Sequence, residues 1–366
     1  MSPKNLLVVI ISFLCFTACA QNGPIIKTDY EVVVSDLNIP WGFAFLPDNS
    51  MLITEKEGKL IHFKNGKKNL IEGLPKIEVR GQGGLMDIQL HPDYKNNGWI
   101  YFTYASPEGE GSGCNTAIMR AKIKNNTLTD KQLLYKASPN STKGQHFGSR
   151  IAFDNKGYLY FSIGERGDRD HNPQDITRDG GKIYRLHDDG TIPQDNPFVN
   201  VANAKKAIYS YGHRNPQGLI FNSITGEIWD NEHGPQGGDE INVIEPGKNY
   251  GWPKISYGIN YDGTKFTDYT ALPGMEQPMH YWVPSIAPSG MALLTSDKYP
   301  GWKGNVLVGS LKFLYLDNCY IKNGKVTKEE QLLKNLGRVR SVHQGPDGLI
   351  YVGIENLGIV KILPNK

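Results

Sequence analysis

The sequence is poor in cysteine, and its four cysteines show no metal-binding spacing. Cys15 and Cys19 fall within the first twenty residues, so only Cys114 and Cys319 remain in the rest of the chain. There is no CxxC pair, no haem-binding CxxCH motif and no Cys/His zinc spacing. A disulfide-rich module, a zinc finger and a covalently bound haem are therefore excluded. Cys114 and Cys319 form either one disulfide or two buried free thiols.

The sequence also lacks a charge excess, a membrane-spanning run and a sustained helical repeat of apolar residues. Lys+Arg 40 against Asp+Glu 37 leaves a formal net charge of +3, which excludes a large basic surface for nucleic acid. The apolar run at residues 6–16 is too short to span a bilayer. No segment longer than a few turns has a convincing helical period. A coiled coil, a collagen and a polytopic membrane protein are excluded, but no reaction is indicated.

Residues 1–20 have the features of an export signal, with Lys4 ahead of the apolar run. The tetrapeptide FTAC (16–19) resembles a lipobox, in which Cys19 becomes the lipidated first residue of a bacterial lipoprotein. The tripeptide ACA (18–20) also fits ordinary cleavage before Gln21. We favour the lipoprotein over ordinary cleavage and over a buried N-terminal helix. We expect an exported protein, periplasmic or membrane-anchored, that meets the membrane only through this lipid.

What the sequence does contain is turn residues and aromatics: Gly 41, Pro 22, Tyr 19, Phe 13 and Trp 6. Six segments share one design, in which an apolar strand, a turn rich in Pro, Asp, Asn and Gly, and a second apolar strand follow each other. They are Phe43–Glu55, Ile88–Tyr104, Ile151–Glu165, Leu219–Glu232, Met291–Ser310 and Val342–Glu355. Constant hairpins with variable spacing predict an all-β fold, a six-bladed β-propeller, formed as one domain by residues 21–366.

Two points of this fold prediction stay open. A two-sheet sandwich with chance similarity between the hairpins is the alternative architecture. Lys325–Lys334 is either a short helix or a charged surface loop, and we favour the loop. A propeller would matter for function because its loops converge around one channel mouth, so that residues distant in sequence build one site.

The loops before the second and third hairpins carry the first candidate residues. Gln82 lies among the glycines of RGQGG (80–84), which permit close approach of a ligand, although a plain turn explains them equally well. His146 lies in GQHFGSR (144–150) and is a candidate general base, because an imidazole pKa lies close to neutral pH. A structural hydrogen bond is the alternative role for this histidine.

Two later loops combine cations, amides and exposed carbonyl groups. Arg214 and Asn215 precede a proline, which suits carboxylate recognition, or else the arginine ties neighbouring blades together through carbonyls. The run EHGPQGGDEIN (232–242) offers the carbonyls of Gly234 and Pro235 beside carboxylates, as in an oxygen-ligand Ca²⁺ site. It lacks the EF-hand pattern, so its chemistry alone leaves calcium open.

Further cations occur late in the chain, at Lys312, Arg338 and Arg340. Arginines two positions apart on a strand point to the same side. With Arg214, these four cations either converge on a small anionic ligand in the channel or are scattered surface charges.

Taken in order, these loops resemble the soluble quinoprotein family of aldose sugar dehydrogenases, which is related to soluble glucose dehydrogenase. The resemblance spans essentially the whole mature chain. The matching stretches are GQGGLMDIQLHPDY (81–94), GQHFGSRIAFDNKGYLYFSIGERG (144–167), DNPF (195–198), residues 208–253, SIAPSGMA (285–292), GSLK (309–312), GRVRSV (337–342) and GPDGLIYV (345–352). The blocks RNPQG and HGPxGGDEIN…NYGWP are the specific ones.

The resemblance implies a six-bladed propeller that holds pyrroloquinoline quinone (PQQ) and Ca²⁺ at the top of its channel. His146 would be the base that takes the proton from the C1 hydroxyl of an aldose, while hydride passes to the quinone and a lactone forms. Arg214 would stabilise charge on the quinone oxygen. The residues implied to hold PQQ are Gln82, Arg214, Asn215, Lys312, Arg338 and Arg340, with Ser285 as a weaker candidate.

The implied metal ligands divide into two sites. The carbonyls of Gly234 and Pro235 would bind the Ca²⁺ that polarises the quinone. Glu240 and the Tyr250 carbonyl would belong to a second, structural Ca²⁺ site, with Tyr261 as a further backbone ligand.

The sequence departs from soluble glucose dehydrogenase at Gln145, where that enzyme has Asp, and at His233, where it has Gln. The loops by which that enzyme grips its sugar and dimerises are shortened here, so we expect broader sugar use and a monomer. Without a haem motif, electrons must pass to an external acceptor. The alternatives are a non-catalytic propeller binding protein and a calcium-dependent propeller lactonase. The cationic set argues against the lactonase, and the presence of both His146 and Arg214-Asn215 argues against the binding protein.

Overall fold

The computed structural model describes residues 29–364, so the export signal and the lipidation predicted at Cys19 lie outside the described residues. Within that range the chain forms twenty-four strands and one short helix, α1 (Tyr94–Asn97). None of the helices in this range is long and apolar enough to cross a membrane. The expectation that no long helix forms is confirmed over residues 29–364.

The strands occur in chain order as follows. The first eight are β1 (Tyr30–Ser35), β2 (Pro40–Phe45), β3 (Met51–Glu55), β4 (Lys59–Lys64), β5 (Lys67–Ile71), β6 (Leu85–Leu90), β7 (Ile100–Ser106) and β8 (Asn115–Lys124). The next eight are β9 (Thr127–Lys136), β10 (Ile151–Phe153), β11 (Leu159–Ile163), β12 (Lys182–Leu186), β13 (Ile208–Tyr211), β14 (Pro216–Asn222), β15 (Glu227–Glu232) and β16 (Asp239–Ile244). The last eight are β17 (His280–Trp282), β18 (Pro288–Leu293), β19 (Val306–Ser310), β20 (Leu316–Lys322), β21 (Lys325–Leu332), β22 (Val339–Gln344), β23 (Ile350–Ile354) and β24 (Gly358–Ile362).

These strands form six four-stranded antiparallel sheets, which are the blades of a six-bladed propeller. Blades one to five are β2–β5, β6–β9, β10–β13, β14–β17 and β18–β21, and blade six is β22–β24 with β1 on its outer edge. The ring is closed by the pairing of β1 with β24, which joins the two ends of the described chain. The predicted fold class is confirmed.

Each of the six predicted hairpins forms the first two strands of one blade. In blade one, for example, Phe43 pairs with Ile53 across β2 and β3. In five of the six blades a register shift lies near the start of the innermost strand, as between Pro40 and Gly42. Such bulges bend a strand and re-aim its side chains, and here they lie at the strand ends that join the candidate loops.

One element was predicted wrongly. Residues 325–334, for which we favoured a loop over a short helix, include the outer strand β21 of blade five. Its alternation of buried and exposed residues is weak because most of its first half faces solvent, and full burial is confined to the last three residues.

The two cysteines of the described chain do not form a disulfide. Cys114 and Cys319 are both buried free thiols, which was one of the two alternatives left open by the sequence.

The channel is crossed by one buried ion pair. The Arg150 guanidinium lies 3.2 Å from Asp87 Oδ1 and donates to the backbone carbonyls of Trp41, Gln217 and Arg340 at 3.2, 2.6 and 2.6 Å. Arg150 directly precedes the first strand of blade three, and Asp87, Trp41, Gln217 and Arg340 belong to blades two, one, four and six, so that one side chain joins its own blade to four others. Arg150 separates a cavity of about 310 Å³, lined by Asp87 and Arg150, from one of about 210 Å³, lined by Trp41, Gln217 and Arg340.

Candidate functional site

A histidine–glutamate pair lies at the channel mouth from which the innermost strands start. His146 Nδ1 contacts Glu165 Oε1, and the two side chains are 13% and 2% exposed. The backbone of His146 has a φ of 57°, an unusual value for a residue other than glycine. Gln82 holds this conformation, because its Oε1 accepts a hydrogen bond from the His146 N–H at 2.9 Å. The imidazole is therefore fixed both through its ring and through its backbone.

The charge state of His146 follows from these surroundings. Burial lowers the pKa of His146, the nearby Arg214 lowers it further, and the bond with Glu165 opposes both effects. The ring is therefore neutral at neutral pH. A neutral ring that donates Nδ1–H to Glu165 keeps an unprotonated Nε2, which is the atom that a general base needs.

Arg214 and Asn215 follow the turn after β13 and lie against the same histidine loop. Arg214 Nη1 lies 3.3 Å from the carbonyl oxygens of both His233 and Gly234, and the guanidinium faces the Trp252 ring at 5.3 Å. Asn215 Oδ1 accepts a hydrogen bond from the Gly148 N–H at 3.1 Å. Asn215 Nδ2 is buried without a hydrogen-bond partner in the described part of the chain. A buried unpaired donor is costly, so this amide fits a ligand that presents an acceptor oxygen.

One cavity near these loops has a volume of about 650 Å³. Ser285, Lys312, Arg338 and Tyr261 line its wall. Ser285 already donates to Asp239 Oδ2 at 2.7 Å, whereas the exposed Lys312 forms no salt bridge within residues 29–364. The adjoining cavity of about 210 Å³ shares Arg338 with it and is also lined by Gln82 and Arg340. Predicted cofactor residues from four loops thus line two neighbouring cavities.

The four predicted cations do not form one free cluster. Arg338 Nε and Arg340 Nε both lie 3.0 Å from Glu355, so one carboxylate partly neutralises two arginines. Arg214 lines neither cavity and faces the carbonyls of the neighbouring loop. Lys312 and Arg338 are the two predicted cations that line the larger cavity. Lys312 and Arg338 therefore share one cavity wall, and the four predicted cations do not all line the same cavity.

The carbonyls of Gly234 and Pro235 lie in a tight glycine turn. The Gly234 oxygen accepts from Arg214 Nη1, and the Pro235 oxygen accepts from the Gly237 N–H. Beneath the turn, Asp239 Oδ1 accepts from the Gly234 N–H at 2.8 Å, and burial raises the pKa of Asp239 to about 6. An oxygen-rich turn beside a carboxylate suits Ca²⁺, but both carbonyls already have one donor.

Glu240 belongs to a different and more deeply buried group of acids. β15 and β16 pair Glu232 with Glu240 and Asp230 with Asn242, so all four share one face of blade four. His213 Nδ1 lies 2.9 Å from Glu232 Oε1 and 3.6 Å from Asp230 Oδ2. Burial and the Glu232 charge raise the pKa of both Asp230 and Glu240 well above the ordinary carboxylate range.

Several oxygens of this acidic group are unpaired. Within residues 29–364, both carboxylate oxygens of Asp230 and the side-chain oxygen of Asn242 are buried without a hydrogen-bond partner. His213, Asp230 and Glu232 also lie close enough to one another to hold an ion. Buried carboxylates need a cation or a proton. The donor set around Glu240 therefore fits a cation better than the Gly234–Pro235 turn does.

The two predicted tyrosine ligands lie in different surroundings. Tyr250 is buried, and its ring stacks on His213 with the ring centres 4.5 Å apart. Its side chain therefore lies close to the acidic group, and the charge of Asp230 acts on it. Tyr261 is 74% exposed and lines the 650 Å³ cavity together with Lys312 and Arg338. Glu240 does not line that cavity.

Sequence reasoning missed the glutamates that position the site. Glu232 and Glu55 are the last residues of the second strands of their hairpins, and Glu165 and Glu355 follow the corresponding strands by two residues and one residue. Glu165 binds His146, Glu232 Oε2 accepts from the Arg214 N–H, and Glu355 binds two arginines. The signal was visible, because four of the six predicted hairpins end in Glu. The glutamate at the end of these hairpins is therefore a recurrent residue that anchors the loops of the channel mouth.

Comparison with known proteins agrees with this architecture. Residues 37–360 match the family model described as Glucose / Sorbosone dehydrogenase. The chain is 40% identical over 351 residues to aldose sugar dehydrogenase YliI of Escherichia coli, covering 94% of each protein. The apo structure of the soluble E. coli aldose sugar dehydrogenase has a TM-score of 0.89, with 92% of this chain and all of that chain covered.

The names of two further relatives refer to a quinone cofactor. Quinoprotein glucose dehydrogenase B of Acinetobacter calcoaceticus is 31% identical over 319 residues, which cover 78% of this chain and 64% of that protein. The PQQ-bound aldose sugar dehydrogenase of Streptomyces coelicolor has a TM-score of 0.75 at 28% identity, with 93% and 99% coverage. The family match and the shared fold place the chain among the sugar oxidoreductases built on a six-bladed propeller. It belongs to the glucose/sorbosone dehydrogenase family.

Proposed function

We propose that this protein is a PQQ- and calcium-dependent dehydrogenase that oxidises aldoses at C1 to lactones and passes the electrons to an external acceptor. The observation that carries the proposal is the doubly held His146, whose partner Gln82 lines the cavity of about 210 Å³. That cavity shares Arg338 with the larger cavity lined by Lys312. The relatives named as aldose sugar and quinoprotein glucose dehydrogenases support it.

The residues suit an anionic, oxygen-rich cofactor. Lys312 and Arg338 would face its carboxylates, and the unpaired Asn215 Nδ2 would donate to one of its oxygens. Gln82 and Arg340 line the adjoining cavity. Ser285 lines the larger cavity, and its hydroxyl donates a hydrogen bond to Asp239. When bound, PQQ supplies the hydride-accepting carbonyl carbon that no side chain offers.

The protein's own contribution to the chemistry is proton removal and charge stabilisation. His146 Nε2 would accept the proton of the C1 hydroxyl, and the resulting imidazolium would be stabilised by Glu165 through Nδ1. Arg214 would stabilise negative charge that develops beside it. Glu165 does not touch the substrate in this scheme and is a positioning residue.

The proposal is tested by reconstitution. Purified apo-protein is mixed with PQQ and Ca²⁺, and dye reduction is followed with a panel of aldoses. Sugar-dependent turnover that needs PQQ is the expected result, and the same mixture without PQQ is the control. A protein that shows neither a bound quinone spectrum nor turnover with any aldose would contradict the proposal.

Glu165→Gln is expected to lower kcat about 10–100-fold, because the neutral amide orients His146 but no longer stabilises the imidazolium. Glu165 raises the His146 pKa, so its neutralisation lowers that pKa further. Since the neutral ring is the active form, the acid limb of the pH–kcat profile should move to lower pH. The control is Glu55→Gln, at the corresponding position in blade one. This substitution should leave both kcat and the acid limb of the pH–kcat profile unchanged. A variant with a lower kcat but an unshifted acid limb would contradict this role of the Glu165 charge.

The second calcium is proposed to bind at the acidic group of Glu240, Asp230 and Glu232, with the Tyr250 carbonyl nearby. Ca²⁺ near 100 times its Kd should raise the melting temperature by roughly 5 °C, because a cation replaces the protons that these buried acids otherwise need. Asp230→Asn should remove most of that increase. Asp268→Asn, a change at an exposed carboxylate, is the matched control. An equal calcium response in all three proteins would exclude this location.

The proposal extends to the surroundings of the enzyme. We infer that it is a single propeller domain, exported by residues 1–20, and held at the membrane through a lipid on Cys19. The shortened loops support a monomer. Labelling with a radioactive or clickable fatty acid, lost in Cys19→Ser, tests the anchor, and sedimentation tests the monomer.

A further inference from the structure

An exposed apolar rim borders the mouth of the 650 Å³ cavity. We define this acceptor rim as Tyr261, Tyr281, Val283 and Phe313, which are 74%, 45%, 56% and 36% exposed. Tyr261 lines the cavity itself, whereas the other three lie outside its lining. Several exposed apolar side chains next to one cavity indicate a contact surface, whereas isolated ones do not.

The rim is ordered by contacts with the cofactor loops. The Tyr281 ring stacks on Tyr257, with the ring centres 3.8 Å apart and the planes within 7°. Gly237, in the loop that carries the predicted calcium carbonyls, packs against Val283, whose side-chain carbons lie 3.4 Å from where a Cβ on Gly237 would be. The Lys312 ammonium lies 5.1 Å from the centre of the Phe313 ring. The rim is therefore a fixed part of the mouth.

Within the described residues, a diffusing small molecule can approach the site along the channel only from the mouth. The opposite direction along the channel is blocked by Arg150, which is buried and joins its own blade to others. The two cysteines among residues 29–364 are buried free thiols, so no disulfide there could receive electrons. An acceptor that takes electrons from the cavity must therefore approach its mouth.

We propose that the acceptor rim is the docking surface for the electron acceptor, and that this acceptor is a small, planar, aromatic molecule carrying negative charge. This inference rests on the proposed dehydrogenase function. An acceptor of the quinone or quinone-imine class takes up two electrons and two protons, which balances the oxidation of one aldose to a lactone. Docking at the rim would bring the acceptor next to the cavity that the proposed function assigns to the cofactor.

Size and charge favour this occupant. At about 200 Å² per aromatic side chain, the exposed parts of the three rings present roughly 300 Å². One partner of a stable protein complex buries about 800 Å², so the rim suits a ring better than a protein. Lys312 provides an exposed positive charge at the rim. The Asp262 carboxylate next to Tyr261 is turned back into its own loop, where Thr264 binds it at 2.6 and 2.9 Å.

The test uses the reconstituted holoenzyme with two anionic acceptors, the quinone-imine dye 2,6-dichlorophenolindophenol and the ring-free ferricyanide. Phe313→Ala and Val283→Ser should each raise the KM for the dye about five-fold, since each removes part of the apolar contact. The KM for the aldose and the KM for ferricyanide should stay within about two-fold of wild type, because neither molecule depends on the apolar contact that these substitutions remove. Ile224→Ser is the matched control, because Ile224 is 60% exposed in the β14–β15 turn at the other end of the channel.

An unchanged KM for the dye in both rim variants would overturn the proposal and would favour a protein acceptor. A raised KM for the aldose alone would also overturn it, by assigning the rim to the substrate. If wild type shows no turnover with any aldose, the proposed function fails independently. In that case, equilibrium dialysis tests whether the dye binds at the rim. Phe313→Ala and Val283→Ser should still bind the dye more weakly than wild type, and Ile224→Ser should bind it equally well.

Discussion

His146→Ala is expected to lower kcat for aldose oxidation by about 10³-fold, which is a typical contribution of a positioned general base. The loss follows from the geometry, because Glu165 and Gln82 hold this ring in one orientation and burial keeps it neutral. The variant should still bind PQQ, since Asn215, Lys312 and Arg338 are untouched. The measurements are steady-state dye reduction and the absorbance of bound quinone in the same preparation.

The matched control for this prediction is His171→Ala. His171 also pairs with a carboxylate, Asp168 Oδ1 at 2.6 Å, but it is 70% exposed. Its replacement should leave kcat unchanged. Added imidazole should restore part of the activity of His146→Ala, because the substitution leaves space beside Glu165. An activity within ten-fold of wild type, or a loss of PQQ binding together with activity, would remove His146 from the role of base.

The six hairpins could be predicted from sequence because their information is local. A turn such as GPDG (345–348) needs the residue types that adopt its backbone conformation, and the flanking apolar runs mark its strands. The closure of the ring could not be predicted in this way. β1 (Tyr30–Ser35) pairs with β24 (Gly358–Ile362), and nothing in either segment specifies a partner so distant in sequence. The same limit applies to β21, whose exposed first half lacks the alternation that marks a strand.

For the site, sequence predicted which loops carry chemistry but not the partners of each side chain. Arg340 illustrates the difference, because the sequence predicts that its guanidinium faces an anionic ligand but does not reveal that Arg340 and Arg338 share Glu355. Whether a cation is available to a ligand depends on carboxylates that approach from other strands. His146 shows the converse, since its residue type predicts a base and the contact of Nδ1 with Glu165, nineteen positions away, orients the ring in a way that sequence does not reveal.

Arg150→Met is expected to reduce the free energy of unfolding by about 3–5 kcal/mol, as is typical when one partner of a buried ion pair is removed. Asp87 would remain buried without its cation, and the carbonyls of Trp41, Gln217 and Arg340 would lose their donor. Urea unfolding of wild type and variant measures the difference. For a protein whose total stability is typically about 5–15 kcal/mol, this is a large fraction.

The pH dependence of this loss has a definite sign. Burial raises the pKa of Asp87 and Arg150 opposes that rise, so that removing Arg150 raises the folded-state pKa further above the unfolded value. A group of this kind contributes stability at low pH that is lost as pH rises through the folded pKa. The difference between wild type and Arg150→Met should therefore be smaller in mildly acidic than in neutral buffer. Arg178→Met, at a partly exposed ion pair with Asp168, is the control and should cost at most about 1 kcal/mol. If Arg150→Met costs no more than this control, the contacts of Arg150 with four other blades contribute little to stability, and its role is confined to blocking the channel.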